Sequence, residues 1–88
     1  MNKVPDVSVI MSVFNGEDFL EASIQSVLRQ TFTDFEFIII DDGSNDSSLA
    51  IIQSFKELDP RIKVIAHKNQ GLPKSLNVGI MNSIGKYI

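Results

Sequence analysis

A three-layer α/β/α fold built on a parallel sheet is the class this sequence predicts, from three observations. Residues 35–40, Phe-Glu-Phe-Ile-Ile-Ile, are a β-favouring apolar run without a polar face, as expected of an interior strand covered on both sides. Further β-rich runs at 7–14 and 62–66 alternate with stretches of helical period, in the order β-α-β-α-β-α-β. Connections of that length allow the right-handed crossovers that join parallel strands. The central run ends abruptly in Asp41-Asp42-Gly43, followed by Ser, Asn and Asp residues that favour helix starts. An acidic turn therefore falls at the carboxyl edge of the sheet, where open α/β folds bind ligands.

The elements follow in order. Residues 7–14, Val-Ser-Val-Ile-Met-Ser-Val-Phe, form the first strand, closed by the turn signal Asn15-Gly16. Over residues 18–30, Leu20, Ile24, Val27 and Leu28 recur at helical spacing and leave Ser23, Gln25, Ser26 and Arg29 mostly off the stripe. Residues 31–34 make the crossing to the second strand at 35–40, and Asp46 or Ser47 caps a second helix that runs to about Leu58. Leu49, Ile52 and Phe55 give that helix its buried stripe, and Asp59-Pro60 ends it because the residue before proline avoids helical geometry. Residues 62–66 alternate as a third strand nearer the sheet edge, and 67–71 form a polar loop. A third helix starts at Leu72 or Pro73 with Leu76, Ile80 and Ile84 facing inward. Gly79 within it costs about 1 kcal/mol of helix propensity relative to alanine, so another element packing close there is the physical reason to expect it. Gly85 reads as the helix terminator, and Lys86-Tyr87-Ile88 as the opening of a fourth strand. A chain that stops as a strand begins reads as an amino-terminal piece of a larger domain, and the sheet edge so left open invites a homodimer.

Eighty-eight residues allow one small domain, and 43% hydrophobic content is ample for its core. A net charge of −3 is too mild to suggest a nucleic-acid or membrane-surface binder. No cysteine is present, so a disulfide framework and a thiolate metal site are both excluded. The apolar run at 7–14 is too short and too polar for a signal peptide or a membrane span, which points to a cytoplasmic segment.

Two nucleotide signatures are absent: no Gly-x-Gly-x-x-Gly follows the first strand, and the glycine spacing over 79–86 is one residue too long for a phosphate loop. Asp41 and Asp42 can be read as turn residues, or as acceptors for a base edge, a ribose or a metal ion. If the strand continued through them, they would point to opposite faces. His67, the single histidine, reads as a polar residue at a strand end. Lys74, near a helix amino terminus, is either solvated or within reach of an anion.

Taken together, residues 7–16 (Val-Ser-Val-Ile-Met-Ser-Val-Phe-Asn-Gly), 26–32 (Ser-Val-Leu-Arg-Gln-Thr-Phe), 35–44 (Phe-Glu-Phe-Ile-Ile-Ile-Asp-Asp-Gly-Ser) and 71–79 (Gly-Leu-Pro-Lys-Ser-Leu-Asn-Val-Gly) closely resemble the family 2 glycosyltransferases, which have the Rossmann-like GT-A fold. The four blocks span nearly the whole chain. The resemblance implies that a nucleoside-diphosphate sugar, expected to be a UDP-sugar, binds across the carboxyl edge of strands one and two. On that basis Ser12 and Phe14 line the base pocket, Asp42 reads the base, Asp41 supports the turn and Glu17 helps close the pocket. Lys74 lies toward the diphosphate, with Asn77 one helical turn on. Phe14 stands where members often carry tyrosine, and keeps the stacking surface without the hydroxyl.

The resemblance also implies an inverting transfer to an acceptor hydroxyl, with Mg²⁺ or Mn²⁺ on the diphosphate. The family's metal-binding carboxylates and its acceptor base are expected beyond Ile88, so residues 1–88 are read as a nucleotide-sugar-binding part that does not turn over alone, in a parent that can associate with the membrane on its cytoplasmic side. The rival readings are a receiver-like phosphoacceptor module, a phosphohydrolase using the acidic pair, and a non-catalytic interaction module.

Overall fold

The computed structural model describes residues 5–30 and 34–85. Six elements follow one another: β1 (Val7–Val13), α1 (Leu20–Leu28), β2 (Phe35–Asp42), α2 (Ser48–Leu58), β3 (Ile62–His67) and α3 (Leu72–Met81). β2 lies between β1 and β3 and pairs with both in parallel. All eight of its residues are buried, so the unbroken apolar run is the central strand. Fully burying one isoleucine is worth about 1.5–3 kcal/mol, and Ile38, Ile39 and Ile40 have no exposed surface at all.

Alternation along β2 divides the molecule into layers. Phe35, Phe37 and Ile39 join Leu20 and Ile24 of α1 and Ile52 of α2 in one apolar cluster, with Val13 and Ile62. On the opposite face Ile40 of β2 and Ile10 of β1 lie under Gly79 of α3. α1 and α2 therefore cover one face and α3 the other, the placement of α1 and α2 that right-handed crossovers between strands taken in order require. This is the predicted three-layer arrangement. The predicted fourth strand at 86–88 lies outside the described residues, as do positions 31–33 of the crossing. Among the described residues, β1 pairs with β2 alone.

α3 corrects the sequence reading. Ile80 and Ile84 are about half exposed, and the buried positions of the helix are Ser75 and Gly79. A Cβ at Gly79 would stand 2.5 Å from Ile10 Cγ2 and 2.7 Å from Ile40 Cδ1. The helix therefore approaches the sheet through small residues, which a search for large apolar side chains passes over. Ser75 Oγ accepts the Ser12 hydroxyl at 2.7 Å across the same interface. Gly79→Ala should lower stability by about 1–2 kcal/mol, because two contacts under 3 Å put the overpacking at roughly 2–3 kcal/mol, above the gain in helix propensity of about 1 kcal/mol. A urea midpoint equal to or above that of the parent chain would contradict the close approach.

Gly85 does not terminate α3, which ends at Met81. Its amide docks against the start of β1, donating to Ser8 Oγ at 2.8 Å and to Glu36 Oε2 at 3.0 Å. Glu36 is buried within β2 and also accepts from Ser8 Oγ at 2.5 Å, Lys63 Nζ at 2.7 Å and the Ile84 amide at 2.5 Å. Burial pushes its carboxyl upward, but the bonds from Lys63, Ser8 and Ile84 and the Lys63 charge more than offset this and hold it below the usual range. One carboxylate thus ties all three strands to the exit of α3. Among the described residues, no helix is long and apolar enough to cross a membrane.

Candidate functional site at the carboxyl edge of the sheet

The strands end together. Val13 pairs with Asp41, and Asp42 pairs with His67, so Phe14 and Asp42 share one edge as expected. β2 continues two residues further than its apolar run, through both aspartates. Alternation then sends Asp41 to the α1/α2 face and Asp42 to the α3 face.

Asp42 is only 2% exposed, and its carboxylate is already engaged. Oδ1 accepts the Gln70 amide at 2.8 Å, and Oδ2 accepts the Gly71 amide at 3.1 Å and Asn69 Nδ2 at 3.3 Å. His67 Nδ1 stands 3.3 Å from Oδ1 and 2.8 Å from the Lys68 carbonyl, which requires Nδ1 to carry the proton it shares. Asn69 Nδ2 also reaches the Asp42 carbonyl at 3.1 Å. The next residue, Gly43, adopts φ +76°, and a Cβ there would meet the Asn69 amide nitrogen at 2.5 Å. Glycine is therefore required twice over, by the backbone angle and by the contact. The carboxylate expected to read a base holds the loop between β3 and α3 in this structure. Asp41, expected to support the turn, is 4% exposed, and its Oδ1 has no hydrogen-bond partner among the described residues. The bonds to the loop between β3 and α3 come from Asp42.

The turn after β1 is laced to the loop after β2. The amides of Asn15, Gly16 and Glu17 donate in succession to Ser44 Oγ at 2.9 Å, Ser48 Oγ at 3.0 Å and Asp46 Oδ2 at 3.3 Å. In return Asn15 Oδ1 accepts the Asn45 amide at 2.8 Å, and Glu17 Oε2 accepts the Ser47 amide at 2.9 Å. Asp46 Oδ1 takes the Ser48 amide at 2.9 Å and so satisfies an otherwise unpaired donor at the start of α2. The Ser48 side chain and amide, with the Glu17 amide, hold the Asp46 carboxyl below the usual carboxylate range. Ser47 occupies the cap position without a side-chain cap bond, so of the two predicted caps Asp46 does the work. Glu17, expected to close a pocket, is exposed and spends its carboxylate on the Ser47 amide.

An open groove of about 290 Å³ runs beside the end of β1, lined by Met11–Phe14 together with Gly16, Phe19, Leu20 and Ser23. Ser12 and Phe14 line it, and Phe14 keeps 51% of its surface exposed. Asp41, Asp42 and Glu17 do not. Lys74 and Asn77 are exposed on α3 and do not line the groove either. A larger groove of about 410 Å³ lies by the other end of β1 among Val7, Val9, Val27, Gln30 and Phe35, where Gln30 supplies the single polar side chain. Among the described residues no group of three or more His, Asp or Glu side chains is placed to hold a metal ion. With Asp41 and Asp42 on opposite faces, the acidic pair does not fit one.

The sequence reading missed Glu36, Asn69 and the lacing of the two loops. Their signal is present as polar residues at the strand ends, but which of them meet depends on strand register.

The family model described as Glycosyl transferase family 2 matches residues 8–88. The chain is 42% identical over 88 residues to an uncharacterized glycosyltransferase of Haemophilus influenzae, covering 99% of this chain and 27% of that protein. Among solved structures, S. aureus TarS superposes with a TM-score of 0.83 at 28% identity, over 94% of this chain and 26% of the other. The Pyrobaculum calidifontis mannosyltransferase PcManGT, solved with GDP-Man and Mn²⁺, superposes with a TM-score of 0.82 at 18% identity, over 93% and 25%. The chain thus spans about a quarter of the length of these proteins, and its sheet has the Rossmann-like α/β arrangement of their GT-A fold. With the match running over nearly every residue, the chain belongs to glycosyl transferase family 2.

Proposed function

We propose that the chain is the nucleotide-binding part of an inverting glycosyltransferase that moves a hexose from a nucleoside-diphosphate donor, a UDP-sugar, to an acceptor hydroxyl. The observation that carries this reading is the half-exposed Phe14 ring beside Ser12, lining a groove at the carboxyl edge of a parallel sheet. Such an edge is where open α/β folds take ligands, and an uncovered phenyl face offers a base a stacking platform. Its fold is that of PcManGT, whose structure contains GDP-Man. The complete enzyme's Mg²⁺ or Mn²⁺ would screen the diphosphate charge, but the described residues offer no ligand set for it. This chain's own contribution is to bind and orient the nucleoside.

Calorimetric titration with UDP tests the proposal. Weak binding is expected, and Phe14→Ala should weaken it about tenfold, since stacking on an aromatic is worth roughly 1–3 kcal/mol per base. Phe14 is half exposed, so the variant should keep its unfolding midpoint. Unchanged UDP affinity in Phe14→Ala would remove the ring from the site.

A further inference from the structure

Phe14 is the most consequential side chain of the groove, and half of its surface lacks packing neighbours to hold it. The direction of its ring depends on the backbone on either side. Before it, Val13 is buried and locked in register with Asp41. After it, Asn15 adopts φ +52°, the one positive φ outside glycine among the described residues. Asparagine tolerates that left-handed conformation better than other side chains with a Cβ.

We infer that Asn15 is a positioning residue for Phe14, fixing the angle at which the ring leaves β1 through its left-handed backbone and the Asn45 amide bound at its Oδ1. The Asn15 amide also donates to Ser44 Oγ, so one residue makes both halves of a reciprocal bridge to the loop after β2. Gly16 and Glu17 extend the bridge along the turn. The Ser44 and Ser48 hydroxyls, the Asp46 carboxylate and the backbone amides of Asn45 and Ser47 therefore form the frame that presents the ring, although these residues do not line the groove. Glycine at position 15 would keep the backbone angle and lose the acceptor. Aspartate would keep the acceptor and add a charge near Glu17 and Asp46.

The inference rests on the nucleotide reading above, and two measurements on the 88-residue chain separate them. In the ligand-free state, the ring resonances of Phe14 should shift or broaden in Asn15→Gly and return toward their original positions in Asn15→Asp. With UDP as the probe, Asn15→Gly should raise Kd about fivefold, as expected if the binding-competent ring direction is held only about a fifth of the time. Asn15→Asp should recover most of that loss. Unchanged ring resonances and affinity in Asn15→Gly would overturn the inference, and so would an Asn15→Asp variant no better than the glycine one. If the parent chain binds no UDP, the nucleotide reading fails, and the ligand-free resonances still decide whether Asn15 directs the ring.

Discussion

Replacing Glu36 by alanine should destabilise the chain by about 3 kcal/mol, because buried donors left without an acceptor cost roughly 1–3 kcal/mol each. The groups stranded are the Ile84 amide and the Ser8 hydroxyl, while the Gly85 amide keeps Ser8 Oγ as its acceptor. Lys63 contributes less to the loss, since its side chain is 48% exposed and can return to water. Glu36→Gln keeps the shape and one acceptor and should lose less. Urea unfolding of the three proteins measures the order, and an alanine variant within about 0.5 kcal/mol of the parent would show that the carboxylate anchors nothing.

The same residue sets a pH dependence. Its folded carboxyl is held below the usual range, so the folded state favours the ionised form. That stabilisation is fully present above the ordinary glutamate pKa of about 4.3 and is lost as pH falls through the lower folded value. Unfolding midpoints measured from pH 7 down to pH 3 should therefore fall more steeply for the parent chain than for Glu36→Gln. Parallel curves would mean that Glu36 is not the group responsible.

Asp42→Ala should cost a further distinct amount, about 2–4 kcal/mol, from stranding the Gln70 and Gly71 amides, while Asn69 Nδ2 keeps the Asp42 carbonyl as its acceptor. Amide exchange at Gln70 and Gly71 should accelerate in the variant, together with weaker UDP binding. Loss of UDP affinity with unchanged exchange would instead identify Asp42 as a direct partner of the base. Loss of both together would mean that the carboxylate acts through the loop it holds.

Much of this architecture was legible in the chain because it depends on near neighbours. An unbroken apolar run can satisfy its side chains only between two covering layers, and β2 is buried throughout. The stripe Leu20, Ile24, Val27 and Leu28 packs into the core cluster as its spacing implies. The strand-end position shared by Phe14 and Asp42 follows from parallel strands ending at one edge. On α3 the close approach at Gly79 was legible from a glycine inside a helical stretch, but the rest of the inward face was not, because periodicity gives weight to Ile80 and Ile84 while Ser75 is the buried neighbour. The resemblance assigned Asp42 to a base, whereas its residue context left turn and ligand readings open, because a carboxylate near a turn carries no mark of which donors will surround it.

The sequence by itself determined the order of elements, the central strand, the absence of thiol chemistry and the family to which the blocks point. Those properties depend on residue type and spacing alone. Tertiary structure alone decided which polar groups became frame. Glu36 meets the exit of α3 across 48 and 49 residues of chain, and Asp42 meets Gln70 and Gly71 across 28 and 29. A hydrogen bond needs a donor and an acceptor within about 3 Å, and only strand register and helix packing bring such distant groups that close.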